Sequence, residues 1–152
     1  QLLRCLQSTE FSIDKVRILE ALHPSQSTAD IHSRESRTRL AAMVSRLLEH
    51  WRLPATEQAE LLGLSAGNRS TLARYRRGEP LADSRDLLDR AGHLLGIHKS
   101  LRILFPHDRD LAYRWMSTPN RLLGARPVDI VIRHGFEGLL SIRRYLDHER
   151  GT

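Results

Sequence analysis

The residues best suited to binding chemistry in this 152-residue sequence are arginines on one short segment. Between Leu61 and Gly78 there are four arginines and no acidic residue. Guanidinium groups bind phosphate oxygens and guanine edges, and hydroxyl groups bind phosphate oxygens. This combination predicts a DNA-reading helix whose candidate contact residues are Arg69, Ser70, Thr71, Arg74, Arg76 and Arg77. The alternative is a solvated helix end, because arginine is also a good helix former at surface positions.

Residues that could perform catalysis or bind a metal show no comparable grouping. The eight histidines are scattered, and no two are four residues apart as in the HExxH motif. Glycines stand singly, where helices are expected to end, and no serine or cysteine lies in a nucleophile-elbow context. The single cysteine, Cys5, excludes an internal disulfide framework. We therefore expect a protein that is not an enzyme and that requires no metal or cofactor.

The overall composition leaves the partner open. The net charge of +6 arises from 24 Lys and Arg against 18 Asp and Glu, which permits nucleic-acid or acidic-protein partners without selecting either. No apolar run reaches the roughly 20 residues that a membrane-spanning helix needs. The first residues lack the charged-then-apolar pattern of a secretory signal. We expect a cytoplasmic protein that does not associate with membranes.

Leucines at helical spacing predict an all-α fold. In the first clear case, Leu40, Val44, Leu47, Leu48 and Trp51 share one face. Proline, glycine and capping residues then divide the chain. Helices are predicted at about 37–50, 58–62, 69–77, 84–95, 97–105, 108–116, 127–134 and 137–148. In this interpretation, Gly96 and Gly135 each end a helix.

The segment from residue 58 to residue 77 has the pattern of a helix-turn-helix. Ala59 is small where two helices would cross closely, and Gly63 permits the sharp turn. Leu64 and Leu72 would hold the third helix from behind. The turn through residues 65–68 is longer than the usual tight version. This would alter how the third helix enters a groove, so the strength of DNA binding stays open.

Residues 115–127 predict a tightly specified corner between two helices. Pro119 ends the preceding helix, and Pro127 is suited to the first turn of the next. Leu122 and Leu123 are expected to anchor the connector, and Asn120 to cap or brace it. Trp115 is expected in the core.

The order of these motifs resembles the Xre/MbcA/ParS family of bacterial antitoxins, which are partners of RES-domain toxins. The resemblance covers about residues 37–150. It rests on the helix-turn-helix followed by a string of domain-shaping residues: Trp115, Pro119, Asn120, Leu123, Pro127 and Gly135. It implies a helix-turn-helix DNA-binding domain (36–96) and a small helical toxin-binding domain (97–152). The additional residues 1–35 depart from the family pattern, and there the spacing of Ile13, Val16, Leu19 and Leu22 predicts an N-terminal helix followed by a linker.

The resemblance also implies a function. The chain would be an antitoxin that neutralises a RES-domain toxin, one that consumes NAD or transfers ADP-ribose, by covering the toxin's active site with its C-terminal region. It would also repress its own operon by binding operator DNA, as a homodimer or in a higher hetero-oligomer with the toxin. The polar end of the chain, expected to be frayed when unbound, supplies the candidate toxin contacts Arg143, Arg144, Tyr145, His148, Glu149 and Arg150. The alternative function is a stand-alone helix-turn-helix transcription regulator whose C-terminal part only oligomerises.

Overall fold

The chain folds as helices whose ends follow the capping and proline signals. The computed structural model describes residues 30–65 and 67–151. The predicted N-terminal helix therefore lies outside the described residues. The helices are α1 (Arg34–His50), α2 (Ala55–Leu61), α3 (Arg69–Arg76), α4 (Arg85–Leu104), α5 (Arg109–Arg114) and α6 (Pro127–Glu149), with a 3-10 turn at Trp115–Ser117. No β-strand occurs in the described ranges, and the predicted all-α class is confirmed.

Side-chain caps begin three of these helices. Ser33 accepts a hydrogen bond from the Ser36 backbone N–H at the start of α1. Ser84 and Asp108 cap α4 and α5 in the same way. Each cap satisfies one of the backbone donors that a helix leaves unpaired in its first turn. Helices α4 and α5 therefore start near the predicted residues, whereas α1 starts three residues before the predicted start near residue 37.

Helix α4 contradicts the prediction that Gly96 ends a helix. It continues from Arg85 to Leu104 without a break, so the two predicted helices at 84–95 and 97–105 are one. The reason lies on another helix. The Arg143 guanidinium of α6 lies so close to Gly96 that any Cβ there would overlap it. Gly96 thus allows close approach between helices, at the usual cost of glycine in a helix interior.

The core forms where α4 and α6 pack together. Helix α6 also packs on α2, while α1 packs on both α3 and α4. Residues 31–152 make one compact unit. Its largest fully buried side chains are Trp51, Leu48, Leu61, Leu81, Leu88, Leu94, Ile97, Leu101, Met116, Leu139, Ile142 and Leu146. The segment that resembles a toxin-binding domain is therefore packed directly onto the helix-turn-helix.

Helix α6 has two arms joined at Gly135, where the sequence predicts a break. The backbone at Gly135 has φ 61° and ψ −136°, a conformation open to glycine and closed to residues with a Cβ. Pro127 occupies the first turn of the first arm. The second arm remains helical to Glu149, and the Arg150 Nη1 atom donates to the Ser100 hydroxyl at 3.1 Å. The expectation of a frayed end is therefore wrong through this residue.

Candidate DNA-binding and toxin-binding surfaces

Helix α3 presents one apolar face and one polar face. Leu72 and Tyr75 are buried against the helices behind it. Gly63, with φ 70°, makes the turn that leads towards α3. The backbone N–H of Leu64 then donates to the Ala59 carbonyl at 2.8 Å, which closes α2 with a Schellman-type end. Fully buried Ala59 lets the helices cross closely, as its small side chain predicts.

The opposite face of α3 carries exposed cations. Arg69, Arg74 and Arg77 are exposed, as is Ser70, and Thr71 is partly buried. Arg69 and Arg77 form no ion pair with any residue in the described ranges. Exposed Arg74 lies 3.7 Å from the carboxylate of Glu79, which is also exposed, and 3.4 Å from the hydroxyl of Thr71. Pairs of this kind are weak in water, so these guanidinium groups can exchange them for phosphate.

Arg76 differs from the other predicted DNA contacts. Its Nη2 atom donates to Gln58 Oε1 at 3.1 Å, and its Nε atom lies 3.3 Å from the Glu49 carboxylate. Gln58 is buried and in turn donates to the Leu53 carbonyl at 2.8 Å. Arg76 thus links α3 to α1 and α2, which makes it a residue that positions the reading helix.

The connector between the 3-10 turn and α6 is braced by Asn120. Its side-chain oxygen accepts from the backbone N–H groups of Leu122 and Leu123, at 3.0 and 3.3 Å. Its backbone N–H donates to the Ala125 carbonyl at 3.1 Å, and Gly124 N–H donates back to the Asn120 carbonyl at 2.9 Å. These four bonds define one conformation of the loop.

Two expectations about this corner are wrong. Leu122 does not anchor the connector, because its side chain is 82% exposed, whereas Leu123 is partly buried against the core. The backbone bonds to Asn120 hold the loop without it. Trp115 is only partly buried, and it stacks on Tyr145 with ring centroids 6.2 Å apart. Met116, the next residue, occupies the fully buried position.

The predicted toxin contacts near the end of α6 fall into two groups. Arg144, His148 and Glu149 are exposed. The other three make internal contacts: Tyr145 with Trp115, Arg150 with Ser100, and Arg143 with His93, whose Nδ1 lies 3.4 Å from Arg143 Nη1. Burial, and then the charge of Arg143, lowers the pKa of His93 below its usual value.

Arg126 is a structural residue that the sequence analysis missed. It donates to the Asp129 carboxylate at 2.7 and 2.9 Å and to Glu57 Oε1, on α2, at 2.8 Å. The hydrogen bonds to Asp129, and then those to Glu57, raise the pKa of Arg126, and the same contact lowers the pKa of Asp129. The start of α6 is thereby tied to the first turn of α2. In the sequence, only the three-residue spacing of Arg126 and Asp129 indicates an ion pair at this position.

Arg90 is a second residue that the sequence did not reveal, and its side chain lies between several helices. Its side chain is only 11% exposed and pairs with Asp86 at 2.9 Å. The guanidinium lies over the Phe136 ring, 5.6 Å from its centroid. A Cβ at Gly63 would come within 2.8 Å of Arg90 Nε. Arg90 thus joins the helix-turn-helix turn, α4 and the region beyond the α6 break. From the sequence, Asp86 and Arg90 read as an ordinary surface pair.

The described residues contain no group of three or more His, Cys, Asp or Glu side chains that could hold a metal ion. Within the same ranges, no helix is long and apolar enough to cross a bilayer.

These features define a helix-turn-helix protein with a second helical module built onto its α2 and α4. Comparison with known families matches residues 30–96 to the antitoxin Xre-like helix-turn-helix domain. Residues 100–151 match the antitoxin Xre/MbcA/ParS C-terminal toxin-binding domain. The chain belongs to the Xre/MbcA/ParS antitoxin family, whose members are typically not enzymes. It is also 34% identical over 107 residues to the uncharacterized protein y4oB of Sinorhizobium fredii (strain NBRC 101917 / NGR234), across 70% of this chain and 80% of that relative.

Proposed function

We propose that this antitoxin neutralises a RES-domain toxin by covering the toxin's active site with the end of α6, and that it represses its own operon through α3. The observation that carries the proposal is the order of the two family matches, a helix-turn-helix followed by a toxin-binding segment. The toxin would consume NAD, by degrading it or by transferring its ADP-ribose. Repression would involve a homodimer or a larger assembly with the toxin.

The exposed residues at the end of α6 are the proposed covering group. Arg144, His148 and Glu149 reach solvent, while Leu146 between them is buried and Arg150 is held by Ser100. A rigid helix end loses less conformational entropy on binding than a frayed tail would. Arg143, Tyr145 and Arg150 are proposed to hold this helix end in place behind the contact surface.

Neutralisation is tested by co-expression with a RES-domain toxin, taken from the reading frame beside this gene if that frame encodes one. A combined Arg144→Glu, His148→Ala and Glu149→Lys variant should lose growth rescue, because all three side chains lie outside the core. Deleting residues 145–152 would be a poorer test, since it removes buried Leu146. Arg46→Glu, at an exposed position on α1, is the matched control. Unchanged rescue by the combined variant would exclude the proposed covering mechanism.

Operator binding is proposed to use the exposed cations of α3. Arg69, Arg74 and Arg77 would contact phosphates or guanine edges, with Ser70 and Thr71 on phosphate oxygens. Arg76 would act indirectly, by holding α3 on α1 and α2 through Glu49 and Gln58.

The DNA upstream of the gene serves as the probe. Arg74→Ala combined with Arg77→Ala should weaken binding, and each lost phosphate contact should reduce the log–log salt slope by about 0.9. Arg114→Ala, which removes an exposed arginine from α5, should leave the slope unaltered. If the double variant binds with the slope of the wild type, α3 does not contact the DNA.

A further inference from the structure

An exposed apolar surface adjoins the braced connector. Leu122 is 82% exposed, the largest value among the exposed large apolar side chains in the described part of the chain. The neighbouring Leu123 lines a groove of about 770 Å³ between the connector and the first arm of α6. Ile130 and Ile132 contribute apolar side chains to its lining, which also includes Arg133 and His134. The removal of apolar surface from water is favourable, so burial of this surface against a partner would favour association.

The connector holds Leu122 in a prepared position. Both backbone N–H groups at Leu122 and Leu123 are bound by the Asn120 side chain, and Gly124, with φ 72°, closes the loop. A residue whose backbone is already fixed loses little backbone entropy when it binds. Apolar anchors that enter a pocket are the residues on which interface affinity typically depends.

Two arginines accompany this surface: Arg133 lines the groove, and Arg121 precedes Leu122 in the connector. Arg121 and Arg133 are exposed, and neither forms an ion pair with a residue in the ranges that the structure describes. Asp129 also lines the groove, but its carboxylate is engaged by Arg126. An occupant of this surface therefore gains most if it carries an apolar side chain flanked by carboxylates.

We propose that Leu122 and this groove form a second docking surface for the toxin, one that takes an apolar segment with acidic flanks on the toxin's exterior. The inference rests on the proposed function. The segment held here is proposed to lie outside the toxin's active site, so the end of α6 remains free to cover that site.

Two observations favour the toxin over a second copy of this chain. The connector and groove lie within residues 100–151, the segment that matches a toxin-binding domain. Two-fold pairing through this surface would place the same patch of both copies face to face. Each patch carries the exposed Arg121 and Arg133, so the two patches would repel each other.

The test measures binding of the chain to the same RES-domain toxin in purified form, by titration calorimetry. Leu122→Asp should weaken the affinity at least tenfold, while Leu122→Met should retain it. Arg133→Glu should weaken it severalfold, mainly through the association rate and more strongly at low salt. Met43→Asp replaces a side chain that is 55% exposed on α1 and should change the affinity less than twofold. Circular dichroism of each variant checks that it is folded.

Each outcome separates the two proposals. If the wild-type chain does not bind the RES-domain protein, the proposed function is wrong and the docking surface is wrong with it. If the wild type binds and Leu122→Asp binds equally well, the docking surface alone is wrong. If Leu122→Asp retains toxin affinity but dissociates a self-assembled form in light scattering, the occupant is a second copy and the proposal is overturned.

Discussion

Two glycines in helix interiors should respond to alanine in opposite directions. Gly92 of α4 has no atom within 4 Å of the position that a Cβ would take. Gly138 of α6 lies against the preceding arm: its Cβ would be 3.1 Å from the Ile130 carbonyl carbon and from His134 Cβ, and closer still to the Ile130 carbonyl oxygen. The difference tests the break in α6, because that break brings the Ile130 carbonyl onto Gly138.

The size of each effect follows from two contributions. Alanine in place of glycine in a helix interior stabilises by about 1 kcal/mol, which is the whole effect expected at Gly92. At Gly138 the same gain is opposed by an overpacking cost of about 1–3 kcal/mol. The upper part of that range applies because a backbone carbonyl cannot rotate away. Gly92→Ala should therefore raise the free energy of unfolding by about 1 kcal/mol, and Gly138→Ala should lower it by about 1–2 kcal/mol.

Urea unfolding followed by circular dichroism at 222 nm measures both values. About 1 kcal/mol corresponds to roughly 4 °C in a domain of this size, so the melting temperatures of the two variants should differ by about 8–12 °C. Equal stability of the two variants would refute the geometry of the α6 break. Gly135→Ala should also destabilise, because its backbone conformation excludes a Cβ.

Three further predictions concern contacts between helices. Arg126→Ala should lower the free energy of unfolding by about 2 kcal/mol, because the Glu57 carboxylate, which is 16% exposed, loses its partner. Adding Glu57→Gln should restore about half of that loss. If urea unfolding shows that the effects of the two substitutions simply add, the pairing is contradicted. Gly96→Ala should leave the free energy of unfolding of the wild type unchanged, but should raise that of the Arg143→Ala variant by about 1 kcal/mol. Equal effects in both proteins would exclude the close approach of Arg143 to Gly96. Burial lowers the pKa of His98 in the folded chain, so the unfolded chain binds the proton more tightly and stability should fall as the pH drops below about 6.5. His98→Phe should reduce the slope of melting temperature against pH between about 7.5 and 5, and an unchanged slope would contradict the assignment.

The sequence predicted features that depend on neighbouring residues. Helix α4 begins next to the predicted start at residue 84, and Pro119 lies beyond the end of the helical segment before it. Pro127 begins α6 and Gly135 breaks it. In each case the cause is a backbone or side-chain property that acts within one helical turn. Such signals do not depend on the rest of the fold.

Features that depend on distant residues were not predicted. A glycine within a helical pattern can mark the end of a helix or a point where a neighbouring helix comes close. Gly96 is such a point of close approach, because Arg143 lies over it. Leu122 looked like an anchor because apolar side chains are usually buried, but the Asn120 bonds make that anchor unnecessary. Nothing within a few residues of Gly96 distinguishes these alternatives, and the local bonds of Asn120 do not by themselves show whether other helices cover Leu122.

The amino-acid sequence by itself determined the all-α class, the order of the helices, the break in α6 and the resemblance to an antitoxin. Only the tertiary structure decided which arginines face solvent. Arg69 and Arg77 do, whereas Arg90 and Arg126 join helices that are far apart in the chain. A guanidinium group has the same charge and donors in every setting. Its role is set by the carboxylate or ring that folding brings beside it, and that partner lies up to 69 residues away.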